Sequence, residues 1–274
     1  MERYEEIERS LIKTYRKNIY SKFIKGIKEY DLVKENDHIC VCISGGKDSM
    51  LLAKLMQELH KYSPIHFEVS YLVMNPGYSE ATFNQIQDNL KILNIPAKIV
   101  NTDIFEIANN QIRGGCYLCA KMRRGALYRI AKDMGCNKIA LGHHYDDVIE
   151  TTLMNLLNAG SFQTMLPKLH STNYEGMELI RPLYFVREID IIRWANFNNL
   201  KFIQCACKFT SKELQNDSQR YQTKKLIKEL LSYNKFVEKN IFISASNVNV
   251  DKILGYKIND KKISFLDNYD NIKE

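Results

Sequence analysis

Residues 40–56 read "CVCISGGKDSMLLAKLM", an apolar run that ends in a glycine pair and continues into an amphipathic segment. The run His38–Ile43 has the length and composition of a buried strand. Leu51, Leu52, Leu55, Met56 and Leu59 recur at helical spacing over Ser49–Tyr62. A glycine turn between a strand and a helix N-terminus suits an anion. Glycines let the backbone come close, the free amides of the first helical turn donate to it, and Lys47 adds a full charge. Two familiar phosphate loops do not fit. A Walker loop needs Gly five residues before Gly46, where Val41 stands, and Ser or Thr where Asp48 stands. The dinucleotide fingerprint needs spaced glycines, and Gly45 and Gly46 are adjacent.

Outward from this loop, strand and helix signals alternate. Strands are expected at Phe67–Val73, Ala97–Asn101 and Lys138–Leu141, and a fifth near Phe202–Cys205. Helices are expected at Glu80–Leu93, Tyr117–Met134, Asp146–Leu157 and Glu188–Asn198. Such alternation predicts an α/β fold, a doubly wound parallel five-stranded sheet with helices on both faces. Leu11, Ile12, Tyr15, Ile19, Phe23 and Ile27 predict one or two helices within residues 1–30, and the lysine-rich stretch 211–239 also reads as helical. The expected division is an N-terminal helical extension over 1–35, a core domain over 36–210 and a C-terminal helical extension over 211–274.

The 45% apolar and 26% charged fractions are those of an ordinary globular protein. Apolar runs fall short of the roughly 20 residues a bilayer requires. The start, "MERYEEIERS", has neither the basic region nor the apolar core of a secretory signal, so a cytoplasmic protein with no membrane partner is expected. Net charge is +7, and its distribution is uneven. Lys13, Arg16, Lys17, Lys22, Lys25 and Lys28 follow one another without an acid, with Tyr15, Tyr20 and Phe23 between them. That pattern suits either a solvated helix face or a surface for a polyanion.

Seven cysteines in a chain without an export signal argue for metal or thiol chemistry rather than a disulfide framework. "GGCYLCAKMRRG", residues 114–125, sets Cys116 and Cys119 at the start of a helix, followed by Arg123 and Arg124, which favour thiolates. The pair suits a redox centre, half a zinc site or part of an iron–sulfur site. "FIQCAC", residues 202–207, adds Cys205 and Cys207, which share a face if the segment is a strand. Four thiolates would close a tetrahedral zinc site; three would leave one iron of a cubane cluster open. Cys40, Cys42 and Cys136 read as core packing.

"ALGHHYDDVIETTLMNLL", residues 140–157, follows the fourth strand. Gly142 ends that strand, His143 and His144 form the turn, and Asp146 and Asp147 open the next helix. There the two carboxylates can cap the helix, hold magnesium or serve as acid and base. They fall on the same carboxyl edge of the sheet as Ser44–Ser49, where ligands bind in such folds.

"SGGKDS", residues 44–49, matches the S-G-G-x-D-S motif of the N-type ATP pyrophosphatase, or PP-loop, superfamily. With "CYLCAKMRRG" and "LGHHYDD" in this order, the chain resembles the tRNA 2-thiocytidine synthetase family over roughly residues 37–210. The resemblance implies that ATP adenylates a base carbonyl oxygen, cytidine C2 foremost, in a tRNA anticodon loop. Sulfur then replaces AMP. It implies that Ser44, Gly45, Gly46, Lys47 and Ser49 cradle pyrophosphate, with Asp48 placing Mg2+ or the loop and Gly142 and His143 beside the nucleotide. Asp146, Asp147, Arg123 and Lys47 are the implied catalytic residues. Cys116, Cys119 and Cys205, with Cys207 as alternative, are the implied ligands of a [4Fe–4S] cluster, for which Zn2+ is the rival. A sulfur donor such as a cysteine desulfurase or free sulfide is implied; a homodimer is left open. Rival functions are another adenylating enzyme of the superfamily, such as a lysidine-type tRNA ligase or an enzyme of small-molecule thiolation or desulfuration, and a zinc-stabilised nucleotide-binding module.

Overall fold

Strand alternation divides the molecule into two packed faces. On the first strand, β1 (His38–Ile43), Ile39, Val41 and Ile43 enter one hydrophobic cluster, whereas Cys40 and Cys42 enter another. The computed structural model describes residues 1–109, 115–203 and 219–271. After β1 the chain runs through α3 (Lys47–Tyr62), β2 (Glu68–Asn75), α4 (Glu80–Ile92), β3 (Ala97–Asn101), α5 (Ile104–Asn109), α6 (Gly115–Asp133) and β4 (Lys138–Ala140). It continues with α7 (Tyr145–Ala159), β5 (Lys168–His170), β6 (Glu178–Ile180) and α8 (Glu188–Phe197). Two helices precede β1: α1 (Arg3–Ile12) and α2 (Ser21–Glu29), joined through a π-helical turn at Arg16–Tyr20.

The sheet order is β3-β2-β1-β4-β6-β5, with β1, β2, β3, β4 and β6 parallel and β5 antiparallel at the edge. The doubly wound α/β fold is therefore as expected, with one correction of detail. The fifth parallel strand is Glu178–Ile180, and Phe202 and Ile203 are not in a strand. Phe202 instead stacks on buried Trp194, with ring centroids 6.3 Å apart. Gln204 and Cys205 lie outside the described residues.

One face of the sheet carries α3, α4, α8 and the N-terminal helices. Ile7, Leu11, Ile19 and Phe23 are fully buried there against β1 and α3. Helix α3 lies between the sheet and α1 and α8, so it is covered on nearly every side rather than on the single apolar face its leucines mark. Even Lys54 is fully buried, its Nζ donating to Glu8 (2.6 Å), Gln57 (2.9 Å) and the Leu93 carbonyl (2.8 Å). The other face carries α6, whose Tyr128, Ile130 and Ala131 pack with Cys40, Cys136 and Ile139. These cysteines are buried and free, as core residues should be. Beyond the core, α9 (Gln219–Tyr233) and α10 (Val237–Ser244) lie on α7. The chain then forms an antiparallel hairpin, β7 (Gly255–Ile258) and β8 (Lys261–Ser264), which the helical reading of this segment does not contain.

At the amino end of the strands, a buried cation ties three segments together. Lys138 Nζ meets Asp37 (2.8 Å) and Glu178 (3.1 Å) and donates to the Leu32 carbonyl (3.0 Å). Removing one member of a buried ionic set leaves the others uncompensated, at a cost of about 3–5 kcal/mol. Lys138→Met is accordingly expected to lower the unfolding free energy by about that much in urea titrations. A loss below about 1 kcal/mol would show that the network is dispensable.

Candidate functional site

Because β1 and β4 are adjacent and parallel, the turns that follow them meet at the carboxyl edge of the sheet. After β1 the chain turns through Gly45, whose φ of +88° lies in the region that favours glycine. A β-carbon there would stand 2.6 Å from Ile86 Cγ1 and 2.8 Å from Ile203 Cδ1, so the loop is packed from outside as well. Gly46 is the N-cap of α3 and has no side chain with which to cap it, so among the described residues the first amides of the helix are left to an outside acceptor. The turn is stiffened by Ser49. Its Oγ accepts from the Ser44 amide (3.1 Å) and donates to the Gly46 carbonyl (3.0 Å).

The turn after β4 presses on this loop. A β-carbon on Gly142 would lie 3.0 Å from both the Asp48 carbonyl carbon and the Ser49 nitrogen. A side chain at this position would force the Asp48–Ser49 backbone to give way. The contact brings His144 Nε2 to 3.7 Å from Asp48 Oδ1 and sets Asp147 beside both. Asp147 Oδ2 accepts from the His144 amide (2.9 Å), capping α7, and its Oδ1 pairs with Arg220 (2.6 Å). Burial alone would raise the Asp147 pKa, but the charge of His144, its amide and Arg220 hold it below the usual carboxylate range. Burial raises the pKa of Asp48 despite His144 and Lys47. Among the described residues, neither Asp48 Oδ1 nor His144 Nδ1 has a hydrogen-bond partner.

The loops enclose a cavity of about 420 Å³, lined by Ser44, Asp48, Ser49, Gly142, His143, Asp147, Arg123 and Arg220, with Cys42, Met74, Leu127 and Leu141 among its apolar walls. His143 accepts from Arg181 Nε (3.3 Å), and burial pushes its pKa down to about 4, so it is neutral at pH 7. A second cavity of about 330 Å³ adjoins through Asp48 and Asp147 and is lined further by His144, Glu150, Glu188 and Lys224.

The predicted residues separate into groups. Ser44, Asp48, Ser49, Gly142, His143, Asp147 and Arg123 come together around the cavity. Lys47 lies beside them, its Nζ 3.2 Å from Asp48 and 3.0 Å from Glu188. Asp146 lines neither cavity. Its carboxylate accepts from Arg187 Nε (3.2 Å) and the Glu188 amide (2.7 Å), fastening α7 to the start of α8. Cys116 and Cys119 stand in the first turns of α6, the helix that also supplies Arg123. Cys205 and Cys207 lie outside the described residues.

Sequence reading did not select Glu188, Arg220 or Lys224. Lys224, one turn after Arg220 on α9, is paired with the Glu188 carboxylate, which also takes Lys47. Burial would raise the Glu188 pKa, but the bonds from Lys224 and Lys47 bring it down to about 2. Only the i, i+4 spacing of Arg220 and Lys224 hinted at a shared helix face.

Comparison with known proteins agrees with this geometry. Residues 9–231 match the PP-loop domain family. The chain is 36% identical over 234 residues to the tRNA-cytidine(32) 2-sulfurtransferase of Acaryochloris marina, covering 84% of this chain and 80% of that protein. It is 33% identical over 239 residues to the protein of that name from Syntrophotalea carbinolica, covering 86% and 91%. In fold it is similar to the U34-tRNA thiolase NcsA from Methanococcus maripaludis, solved with its [4Fe-4S] cluster. That match has a TM-score of 0.66 at 22% identity and covers 83% of this chain and 76% of that one. By its loop, its sheet and these relatives, the chain belongs to the tRNA 2-thiocytidine synthetase family of PP-loop proteins.

Proposed function

We propose that this protein thiolates a tRNA base at the expense of ATP, with cytidine C2 in the anticodon loop as the position modified. The observation that carries the reading is a shared wall. Helix α6 bears Cys116 and Cys119 in its first turns and, one turn after Cys119, places Arg123 in the lining of the cavity built on Ser44–Ser49. The cavity and the helix that carries the cysteine pair thus belong to one sheet face. A base carbonyl is a poor leaving site until adenylated. Its oxygen attacks the α-phosphorus of ATP, pyrophosphate departs, and sulfur then displaces AMP at the base carbon.

In this reading the amides of Gly46–Ser49, the hydroxyls of Ser44 and Ser49 and the Lys47 ammonium hold pyrophosphate, while Gly142 and His143 line the rest of the nucleotide. Arg123 and Asp147 face the reacting groups, and Asp146 maintains the junction of α7 with α8. Asp48, whose buried Oδ1 has no hydrogen-bond partner among the described residues, would hold Mg2+, which when bound supplies charge to the phosphates. Cys116 and Cys119 would hold a [4Fe–4S] cluster, with Cys205, or Cys207 in its place, as third ligand. The C-x-x-C pair at a helix start, with Arg123 and Arg124 following, is a donor set that suits it. Such a cluster, when bound, supplies an iron free to carry sulfur. A cysteine desulfurase or free sulfide is the donor class, and the cytoplasm is the proposed compartment.

The two basic stretches differ in position. Lys13, Arg16, Lys17, Lys25 and Lys28 are exposed on the face that carries α3 and α8; Lys121, Arg124 and Arg129 are exposed on α6, the helix whose Arg123 lines the cavity. RNA reaching the cavity meets the α6 set.

Three outcomes are expected. Gly142→Ala should weaken ATP binding at least about tenfold by calorimetry, with the far-ultraviolet spectrum unchanged, because its β-carbon displaces the Asp48–Ser49 peptide. Retained affinity would remove this contact from the site. Anaerobically purified protein should be brown, and Cys116→Ala or Cys119→Ala should bleach it; a colourless, zinc-containing protein would overturn the cluster. Filter binding to tRNA should weaken with salt, and neutralising Lys121, Arg124 or Arg129 should each lower the log–log slope by about 0.7–1. Affinity indifferent to salt would sink the RNA reading.

A further inference from the structure

Two carboxylates, Asp48 and Asp147, line the cavity proposed to receive a triphosphate, and both would repel it. Besides His144, which lies near both, each has a long cationic side chain against it. Lys47 Nζ lies 3.2 Å from Asp48 Oδ2, and Arg220 Nη1 lies 2.6 Å from Asp147 Oδ1. Lys47 belongs to the loop. Arg220 comes from α9, far along the chain, and is the only residue of that helix among the lining of the larger cavity. It also borders the smaller cavity, so its guanidinium sits where the two adjoin.

We infer that Arg220 is a ligand of the α-phosphate of the bound nucleotide, presented by α9 and aimed by Asp147. The assignment rests on the reading that the cavity takes ATP. It follows from how the cations are spaced. The loop amides and Lys47 gather at the start of α3, which suits the β- and γ-phosphates. Arg220 instead comes from α9 and is held at Asp147, on the turn after β4, where it meets the phosphate that stays with the nucleoside. Its held geometry favours this use. Nη1 is fixed by Asp147 and approached by Glu150 (3.6 Å), and Nη2 lies 3.4 Å from Thr151 Oγ1. A guanidinium has five donors, so a fork anchored in this way keeps capacity for phosphate oxygens. The helix itself is docked by other means: Thr223 and Ile227 are buried and Lys224 pairs with Glu188. Arg220 is therefore not required to hold α9 in place.

Calorimetric titration of the full chain with ATP, AMP and inorganic pyrophosphate tests the assignment. Arg220→Gln should weaken AMP and ATP by about 10- to 100-fold, the worth of a charge-assisted hydrogen bond, and leave pyrophosphate within about twofold. Arg220→Lys, which keeps the charge but loses the fork, should fall between wild type and Arg220→Gln; it also carries the comparison should the Gln variant not fold. Unchanged AMP affinity, or equal losses for AMP and pyrophosphate, would overturn the assignment. Wild-type protein that binds no ATP would instead overturn the reading of the cavity, and this inference with it.

Discussion

The approach of Gly142 to the peptide between Asp48 and Ser49 is the constraint on which the site depends. Two β-strands of different sequence position end side by side, and the turns after them come so close that a β-carbon on Gly142 would stand 3.0 Å from the Asp48–Ser49 backbone. Parallel pairing of β1 with β4 brings the loops to one edge, but the missing β-carbon lets them close on each other. From that contact follow the placing of His144 over Asp48, of Asp147 beside both, and of the cavity between them. An anion bound at the start of α3 thereby faces the turn after β4 instead of open solvent.

Around this junction the charges form a chain rather than separate pairs. Arg220 meets Asp147 and Glu150, Lys224 meets Glu150 and Glu188, Glu188 meets Lys47, and Lys47 meets Asp48. The members respond differently to burial. Glu188, held by two lysines, stays ionised down to about pH 2, whereas burial lifts Glu150 to about 7 despite Arg220 and Lys224 nearby. Signs follow from linkage. The Glu188 contribution to stability is full above the ordinary glutamate pKa and fades as pH falls toward 2; the contribution of Glu150 is full in acid and is lost as pH rises through 7. The ionic frame thus couples the C-terminal helices to the loop lysine across neutral pH.

Much of this was legible in the sequence wherever local pattern and chemistry coincide. Ala97–Asn101 reads as a strand and is one, and the alternation of Ile39, Val41 and Ile43 with Cys40 and Cys42 gives both faces of the sheet. Gly45 and Gly142 declare turns, one because its φ of +88° favours glycine and the other because its β-carbon would stand 3.0 Å from the Asp48–Ser49 backbone. Glu178–Ile180 escaped because three residues carry no period, and Phe202 and Ile203 misled because their apolar character serves another purpose. Ile203 covers Gly45 and Phe202 stacks on Trp194. Buried Lys54 and Lys138 could not be foreseen, since each is admitted only by acceptors distant in sequence: Glu8 and Leu93 for one, Asp37, Glu178 and Leu32 for the other. Arg220 escaped for the same reason.

The two sheet faces divide the work. The face with α1, α2, α3 and α8 is packed to completion, with Ile7, Leu11, Ile19 and Phe23 fully buried and even Lys54 sealed. On the other face the cluster around Cys40 and Ile139 is smaller, and between it and the loop edge the cavity opens against Cys42, Leu127 and Arg123. A reaction that first activates an oxygen and then replaces it must reach one carbon from both partners without releasing the substrate. Helix α6 spans that region in one element: its first turns carry the cysteine pair, Arg123 follows in the cavity lining, and Ile130 and Ala131 pack its far end against the sheet. Spacing along a helix is fixed at about 1.5 Å per residue, so the separation along the chain between the cysteine pair and Arg123 is set by that helix and does not depend on a loop.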